Sequence, residues 1–303
     1  MSRFCEALDS GKFLVTAEIE PPKGVDLTGV LDRARALRGM VAAVNVTDQA
    51  ASILRAAPWA VCLALKQRGL EPIMQVTLGH RNRIAIQADL LAASMLGIEN
   101  ILCMTGDPPA SGDHPQAKAV FDLDVVSLIR AAKALEAGAD LAGRRLEGSP
   151  RFCVGAVANP SAVPLDLELR RLEAKAKAGA RFVQTQAVFD VEEFARFMEA
   201  ARPMGVPVLA GILFLKSAAH ARWMSRLPGM RVPGEVVAAL ERSADPVATC
   251  IDLASRTARD LRGLCRGMHL MATGWERHIP AALGRAGLGS ETGRLRDQAP
   301  CSP

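Results

Sequence analysis

Short apolar runs alternate with amphipathic stretches along the whole chain. The runs are Phe13 to Glu20, Ala42 to Asp48, Pro72 to Gly79, Asn100 to Gly106, Arg151 to Asn159, Phe182 to Phe189, Pro207 to Leu215 and Gly267 to Gly274. Each has strand length, and segments of helical period separate them. In RIAIQADLLAASMLG, for example, Ile84, Ala88, Leu91 and Met95 fall on one face. Strict alternation of this kind predicts a parallel sheet covered by helices. Eight such units predict closure into a single-domain (β/α)8 TIM barrel spanning residues 1–303. An open doubly wound sheet is the rival architecture, but no Gly-x-Gly-x-x-Gly follows an early strand. Pro233 to Arg266 reads as two extra helices before the last strand. The tail beyond Gly284 is polar and Gly-rich, and fraying is expected there, with 289–303 a flexible tail.

The strands carry a second pattern. Successive side chains point to opposite faces, so Thr16, Glu18 and Glu20 share one face while Val15, Ala17 and Ile19 share the other. Asn45 and Thr47, Gln75 and Thr77, Thr105 and Asp107, and Gln184 and Gln186 are paired in the same way. A parallel barrel strand is normally apolar on both faces. Here one face turns polar toward the C-terminal end, strand after strand. Polar groups converging at that mouth are what an active site of this fold requires. The loop from Asp107 to Leu123 follows the fourth strand at the same mouth, and its Pro, Gly and Ser content suits a lid or rim. The connection Asp140 to Arg151 leads into a strand, so it belongs to the opposite end.

Composition narrows the function classes. With 37 basic and 32 acidic residues the chain carries +5, spread without a dense Lys/Arg block, which does not point to nucleic acid. The surplus suits an anionic ligand. No apolar run is long enough for a membrane span, and the first residues lack the centre of a secretory signal, so a cytoplasmic protein is expected. The seven cysteines are scattered with no Cys-x-x-Cys pair, which argues for free thiols and against a metal site or disulfide framework. Tyrosine is absent.

Several segments, in order and spacing, resemble a known family. TAEIEPP (Thr16 to Pro22), TGDPP (Thr105 to Pro109), KAKAGARFVQTQAVFD (Lys175 to Asp190) and LAGILFL (Leu209 to Leu215) are similar to motifs of methylenetetrahydrofolate reductases. The likeness runs from about Phe13 to about Leu288. It implies an oxidoreductase that interconverts 5,10-methylenetetrahydrofolate and 5-methyltetrahydrofolate through a bound flavin, usually FAD. Opening the methylene bridge to an iminium cation needs a proton on the leaving nitrogen, which a carboxylic acid in a partly dry pocket supplies. Glu18 matches the family's acid. Asp107 matches the aspartate beside pterin and flavin, where its charge stabilises the cation. Gln186 matches the glutamine that bonds folate, and Lys175 a lysine near the flavin's ribityl-phosphate side. Glu20, two residues beyond Glu18, is either a second carboxylate acting on it or a rim residue, and the rim reading is preferred.

The flavin-side shell implied by the resemblance comprises Asn45, Thr47, Gln75, Thr105, Gly106, Asp107, Asn159 and Lys175. It departs from the family in several places. Gln75-Val76-Thr77 stands for a His-Leu-Thr, Thr105 for an arginine, and AVANPSAVP (Ala156 to Pro164) lacks an expected tyrosine and histidine. An aromatic after the seventh strand is replaced near Ala218. Conversely, HRNR (His80 to Arg83) opens the third barrel helix, where Arg81 and Arg83 are candidates for a phosphate or a folate glutamate tail. FAD, FMN or no flavin therefore stay open, as do NADH, NADPH or a partner subunit as electron donor. A folate-dependent methyltransferase barrel and a non-catalytic folate-binding subunit are the competing classes, and a homo-oligomer is compatible with the sequence.

Overall fold

In the computed structural model, which describes residues 1–226 and 230–289, the chain opens with a helix α1 (Arg3–Asp9). The alternating body follows: β1 (Leu14–Ile19), α2 (Thr28–Arg35), β2 (Ala43–Val46), α3 (Pro58–Lys66), β3 (Pro72–Val76), α4 (Arg83–Met95), β4 (Asn100–Cys103), α5 (Val125–Glu136), β5 (Cys153–Ala158), α6 (Leu165–Ala178), β6 (Phe182–Ala187), α7 (Val191–Ala201) and β7 (Val208–Leu213). Three helices, α8 (Ala218–Met224), α9 (Gly234–Glu241) and α10 (Pro246–Leu261), precede β8 (Gly267–Met271), and α11 (Ile279–Arg285) closes the described chain. The strands pair in parallel in sequence order, and β8 returns to β1 through Leu14↔Gly267 and Thr16↔His269. All eight expected strands are present, each shortened at one or both ends, and the two helices expected between Pro233 and Arg266 are α9 and α10, with α8 a further helix before them and α10 packed on β7.

Outward strand residues such as Val15, Ala17, Ile19, Val44 and Val46 pack under the helices in one large core. A second cluster fills the N-terminal end of the barrel interior, where Leu14, Ala43, Ile73, Leu102, Cys153, Phe182 and Leu209 meet Phe4, Cys5 and Leu8 of α1. Helix α1 is thus a plug, started by Ser2, whose hydroxyl accepts from the Cys5 N–H at 3.1 Å. The ring of Phe4 meets Phe182 edge-on at 5.1 Å. Gly155 is required beside them, because a Cβ there would stand 2.2 Å from the Phe182 ring.

Two expectations are corrected. On α4 the barrel wall buries Ile86, Leu90 and Ala93, while Ile84 and Met95 are 74% and 87% exposed. The helix is apolar on two stripes, and the wall takes the one that fits its groove. The chain beyond Gly284 does not fray at once: Ala286 and Leu288 are 4% and 1% exposed. Residues 290–303, with Cys301 and nearly all of the expected flexible tail, lie outside the described residues.

Candidate active site

Polar side chains of non-adjacent strands meet through the barrel interior. The Asn45 amide donates to Gln184 Oε1 at 2.6 Å, and the Gln184 amide donates to Asn45 Oδ1 and to Thr16 Oγ1, each at 3.2 Å. All three are buried. Above this layer Glu18 Oε2 accepts from the Gln75 amide at 3.3 Å and lies 3.5 Å from His269 Nε2. The other ring nitrogen of His269 is 3.0 Å from Thr16 Oγ1, which itself is 3.3 Å from the Met268 carbonyl. The Glu18 carboxylate, 18% exposed, therefore stands between this dry network and the mouth.

Glu18 thus has the Gln75 amide donor and the edge of the His269 ring beside it, and a carboxyl group so placed at the margin of a dry network is suited to proton transfer. Sequence reasoning missed His269. Its signal was a polar residue on the run GMHLMATG, in register with Thr16.

The mouth is rimmed by loops tied to one another. Asp107 Oδ2 accepts from the Ala51 N–H at 2.9 Å, and its carbonyl accepts from Ser52 Oγ at 2.7 Å. Gln49, Ala51 and Ser52 all have positive φ. This uncommon backbone is held by the β4–α5 loop pressed against it. Gly106, at φ +76°, leaves no room for a side chain against Thr77. Glu20 is a rim residue, paired with Arg55 at 3.0 Å.

A cavity of about 770 Å³ opens beside this rim, lined among others by Thr105, Gly106, Asp107, Asn159, Lys175 and Gln186. Arg170 and Arg171 stand on its wall with the buried Glu168. Lys175 donates to the Val157 carbonyl at 2.7 Å and lies 3.7 Å from Glu168. Burial lowers its pKa against the opposing pull of Glu168. Glu168 also accepts from the Asn159 N–H at 3.2 Å. Thr47 Oγ1, beyond β2, is buried with no hydrogen-bond partner among the described residues, and it does not line this cavity. The cavity's volume, the cations on its wall and the glycine at its edge together fit a phosphate-bearing, ring-containing cofactor.

Arg81 and Arg83 are placed differently from expectation. Arg81 is bound by Asp48 and by Asp89, the latter at 2.7 Å, and Asp48 also holds the Thr77 N–H and hydroxyl, each at 2.8 Å. Arg83 grips Asp122 through Nε at 2.8 Å and Nη2 at 2.9 Å. Neither lines the large cavity. Their charges are met by carboxylates of the protein, and the cations that line the large cavity are Lys175, Arg170 and Arg171, of which Lys175 and Arg171 lie 3.7 and 3.8 Å from Glu168. Among the described residues no cluster of His, Cys, Asp and Glu is arranged for a metal, and no helix is long and apolar enough to cross a membrane.

A closed parallel barrel with a carboxylate–imidazole–hydroxyl triad at its C-terminal mouth defines a (β/α)8-barrel protein equipped for acid–base chemistry. The family model described as methylenetetrahydrofolate reductase matches residues 3–287, and the chain belongs to that family. Methylenetetrahydrofolate reductase 2 of Schizosaccharomyces pombe is 27% identical over 71% of this chain and 35% of its own length. A probable NADH-type methylenetetrahydrofolate reductase of Oryza sativa subsp. japonica is 30% identical over 58% of this chain and 30% of its own. The chain spans only about a third of these longer relatives, but 71% of the 5,10-methylenetetrahydrofolate reductase of Pectobacterium carotovorum, which is 27% identical over 74% of this chain. Among solved structures, an uncharacterized protein from Clostridium thermocellum, described as binding two copies of 5-methyl-5,6,7,8-tetrahydrofolic acid, shares the fold. It has a TM-score of 0.66 and 15% identity, covering 93% of this chain and 96% of that one.

Proposed function

We propose that this chain interconverts 5,10-methylenetetrahydrofolate and 5-methyltetrahydrofolate, with Glu18 as the general acid. The observation that carries this reading is the Glu18–His269–Thr16 triad at the mouth of a chain belonging to the reductase family. In the reductive direction Glu18 gives its proton to the nitrogen that leaves the methylene bridge. The Gln75 amide, which already donates to Glu18 Oε2, and the adjacent His269 ring stabilise the carboxylate that remains. Asp107, fixed by the Ala51 N–H, sets a negative charge where the substrate cation develops. Gln186 binds the pterin from the same cavity.

The cavity beside Asp107 would take the flavin, read as FAD, and Lys175, Arg170, Arg171 and Gly106 on its wall would hold it, with Thr47 just beyond β2 a supporting residue. Asn159, Thr105, Gln75 and Asn45 complete or support that shell. When bound, the flavin supplies and accepts the hydride, and NADH or NADPH is its external partner, as the names of plant and nematode relatives support. A partner subunit as electron donor is the second source to test. The domain is a single unit, placed in the cytoplasm, and a second copy of the chain is a possible associate. The test is direct. The purified protein is expected to show a flavin absorption band that NADH or NADPH bleaches and methylenetetrahydrofolate restores. A colourless protein that binds folate without turnover, after supplementation with FAD, removes the reductase reading in favour of a folate-binding subunit.

A further inference from the structure

At the end of the barrel remote from Glu18, two cysteines from distant parts of the sequence meet. Cys5 lies on α1 and Cys153 is the first residue of β5, and both are buried. Both belong to the same buried cluster beneath the plug, and each thiol acts on the other's protonation. Arg181 Nη1 stands 2.7 Å from Cys5 Sγ, while Nη2 of the same guanidinium holds both Asp9 oxygens at 2.7 and 2.9 Å. A cavity of about 270 Å³, lined by Met1, Ser2, Glu99, Arg151, Cys153 and Arg181 among others, opens beside Cys153.

We propose that Cys5 and Cys153 are a peroxide-reactive dithiol whose oxidation staples the plug helix α1 to the barrel strand β5. The Cys153 thiol first, and then the Arg181 cation, hold Cys5 below an ordinary thiol against the effect of burial, whereas the Cys5 thiol and burial push Cys153 up. The pair therefore has one nucleophile and one resolving thiol. In the first step the Cys5 thiolate attacks one oxygen of hydrogen peroxide, the O–O bond breaks, and the departing hydroxide takes a proton to leave as water. In the second step Cys153 loses its proton, its sulfur attacks Cys5, the S–O bond breaks, and a second water leaves. The two sulfurs lose two electrons and the peroxide gains them. Burial in the apolar wall raises the pKa of Cys62, Cys103, Cys250 and Cys265, which keeps them protonated and unreactive by comparison.

The experiment treats the full chain with hydrogen peroxide under native conditions, then unfolds it in N-ethylmaleimide and maps its peptides without reduction. The expected product is a Cys5–Cys153 linked peptide, with a loss of about 2 Da per chain that dithiothreitol reverses. In Cys153→Ser, Cys5 is expected to stop at sulfenic acid and be trapped by dimedone. In Arg181→Gln, with both cysteines intact, cross-linking is expected to slow roughly tenfold, as the thiolate fraction falls. Complete alkylation of both thiols after peroxide overturns the proposal. So does a cross-link that forms as fast without Arg181, because the guanidinium would then have no part in it.

Discussion

The two ends of this barrel are built on opposite principles. The N-terminal end is sealed by α1 over a mainly apolar cluster, with polar contacts such as Ser2 to Asn100 confined to its margin. The C-terminal end is polar, with Asn45, Thr16, Gln184, Gln75, His269 and Glu18 drawn together across the axis. Strands β1, β2, β3 and β6 supply residues to both layers, one or two side-chain steps apart. The difference teaches where stability and chemistry reside. Closing the bottom buries apolar surface, which stabilises the fold. Leaving the top polar sacrifices some of that gain to surround the Glu18 carboxyl group with polar neighbours.

The largest expected effect tests the top. Glu18→Gln is expected to lower interconversion of methylene- and methyltetrahydrofolate by about 10²–10⁴-fold, the usual contribution of a general acid. Melting temperature and folate affinity should be retained, as checked by calorimetry. Turnover within about tenfold of the parent would detach Glu18 from that role.

The matching change at the bottom is Phe4→Ala. It removes a fully buried ring packed on Phe182 and is expected to cost roughly 3–5 kcal/mol in denaturant unfolding. The folded fraction should keep the parent's kcat. If kcat falls as much as stability, the two ends are coupled and the contrast fails.

The arginines separate buried from exposed pairing at a single helix start. Arg81→Ala leaves Asp48, whose side chain is 2% exposed, without its cation, and a loss of roughly 2–4 kcal/mol is expected even though Thr77 still bonds it. Arg83→Ala breaks a pair whose arginine is 53% exposed and screened by solvent, and the expected loss is much smaller than that of Arg81→Ala. Equal losses from both would mean that burial does not govern these pairs. Gln186→Ala is expected to weaken folate binding by roughly 1–3 kcal/mol, read by titration, with stability unchanged because the side chain is exposed at the mouth.

Much of the scaffold was legible in the chain itself. Strand length, strict alternation with helices and period-two polarity are local properties, and each strand appeared where its apolar run stood. Glu18, Asp107 and Gln186 were legible because strand-end polarity and family motifs coincide on them. Other features were hidden for particular reasons. His269 is a lone polar residue in an apolar run, and only closure of β8 onto β1 sets it between Thr16 and Glu18. Arg81 and Arg83 read as free cations because Asp48 and Asp122 are distant in sequence and come from other loops. On α4 both apolar stripes satisfy helical period, so the pattern alone does not choose between Ile84 with Met95 and Ile86 with Leu90.

The sequence by itself determined the order of elements, the parallel barrel and which residue types point inward at the mouth, because dihedral preference, period and turn chemistry act over a few residues. The tertiary structure alone decided which charges cancel, which imidazole touches the acid and which thiols meet beneath the plug. Those outcomes depend on side chains some 40 to 250 positions apart, such as Thr16 and His269 at 3.0 Å. Only closure of the barrel brings such pairs within the few ångströms over which hydrogen bonds and screened charges act.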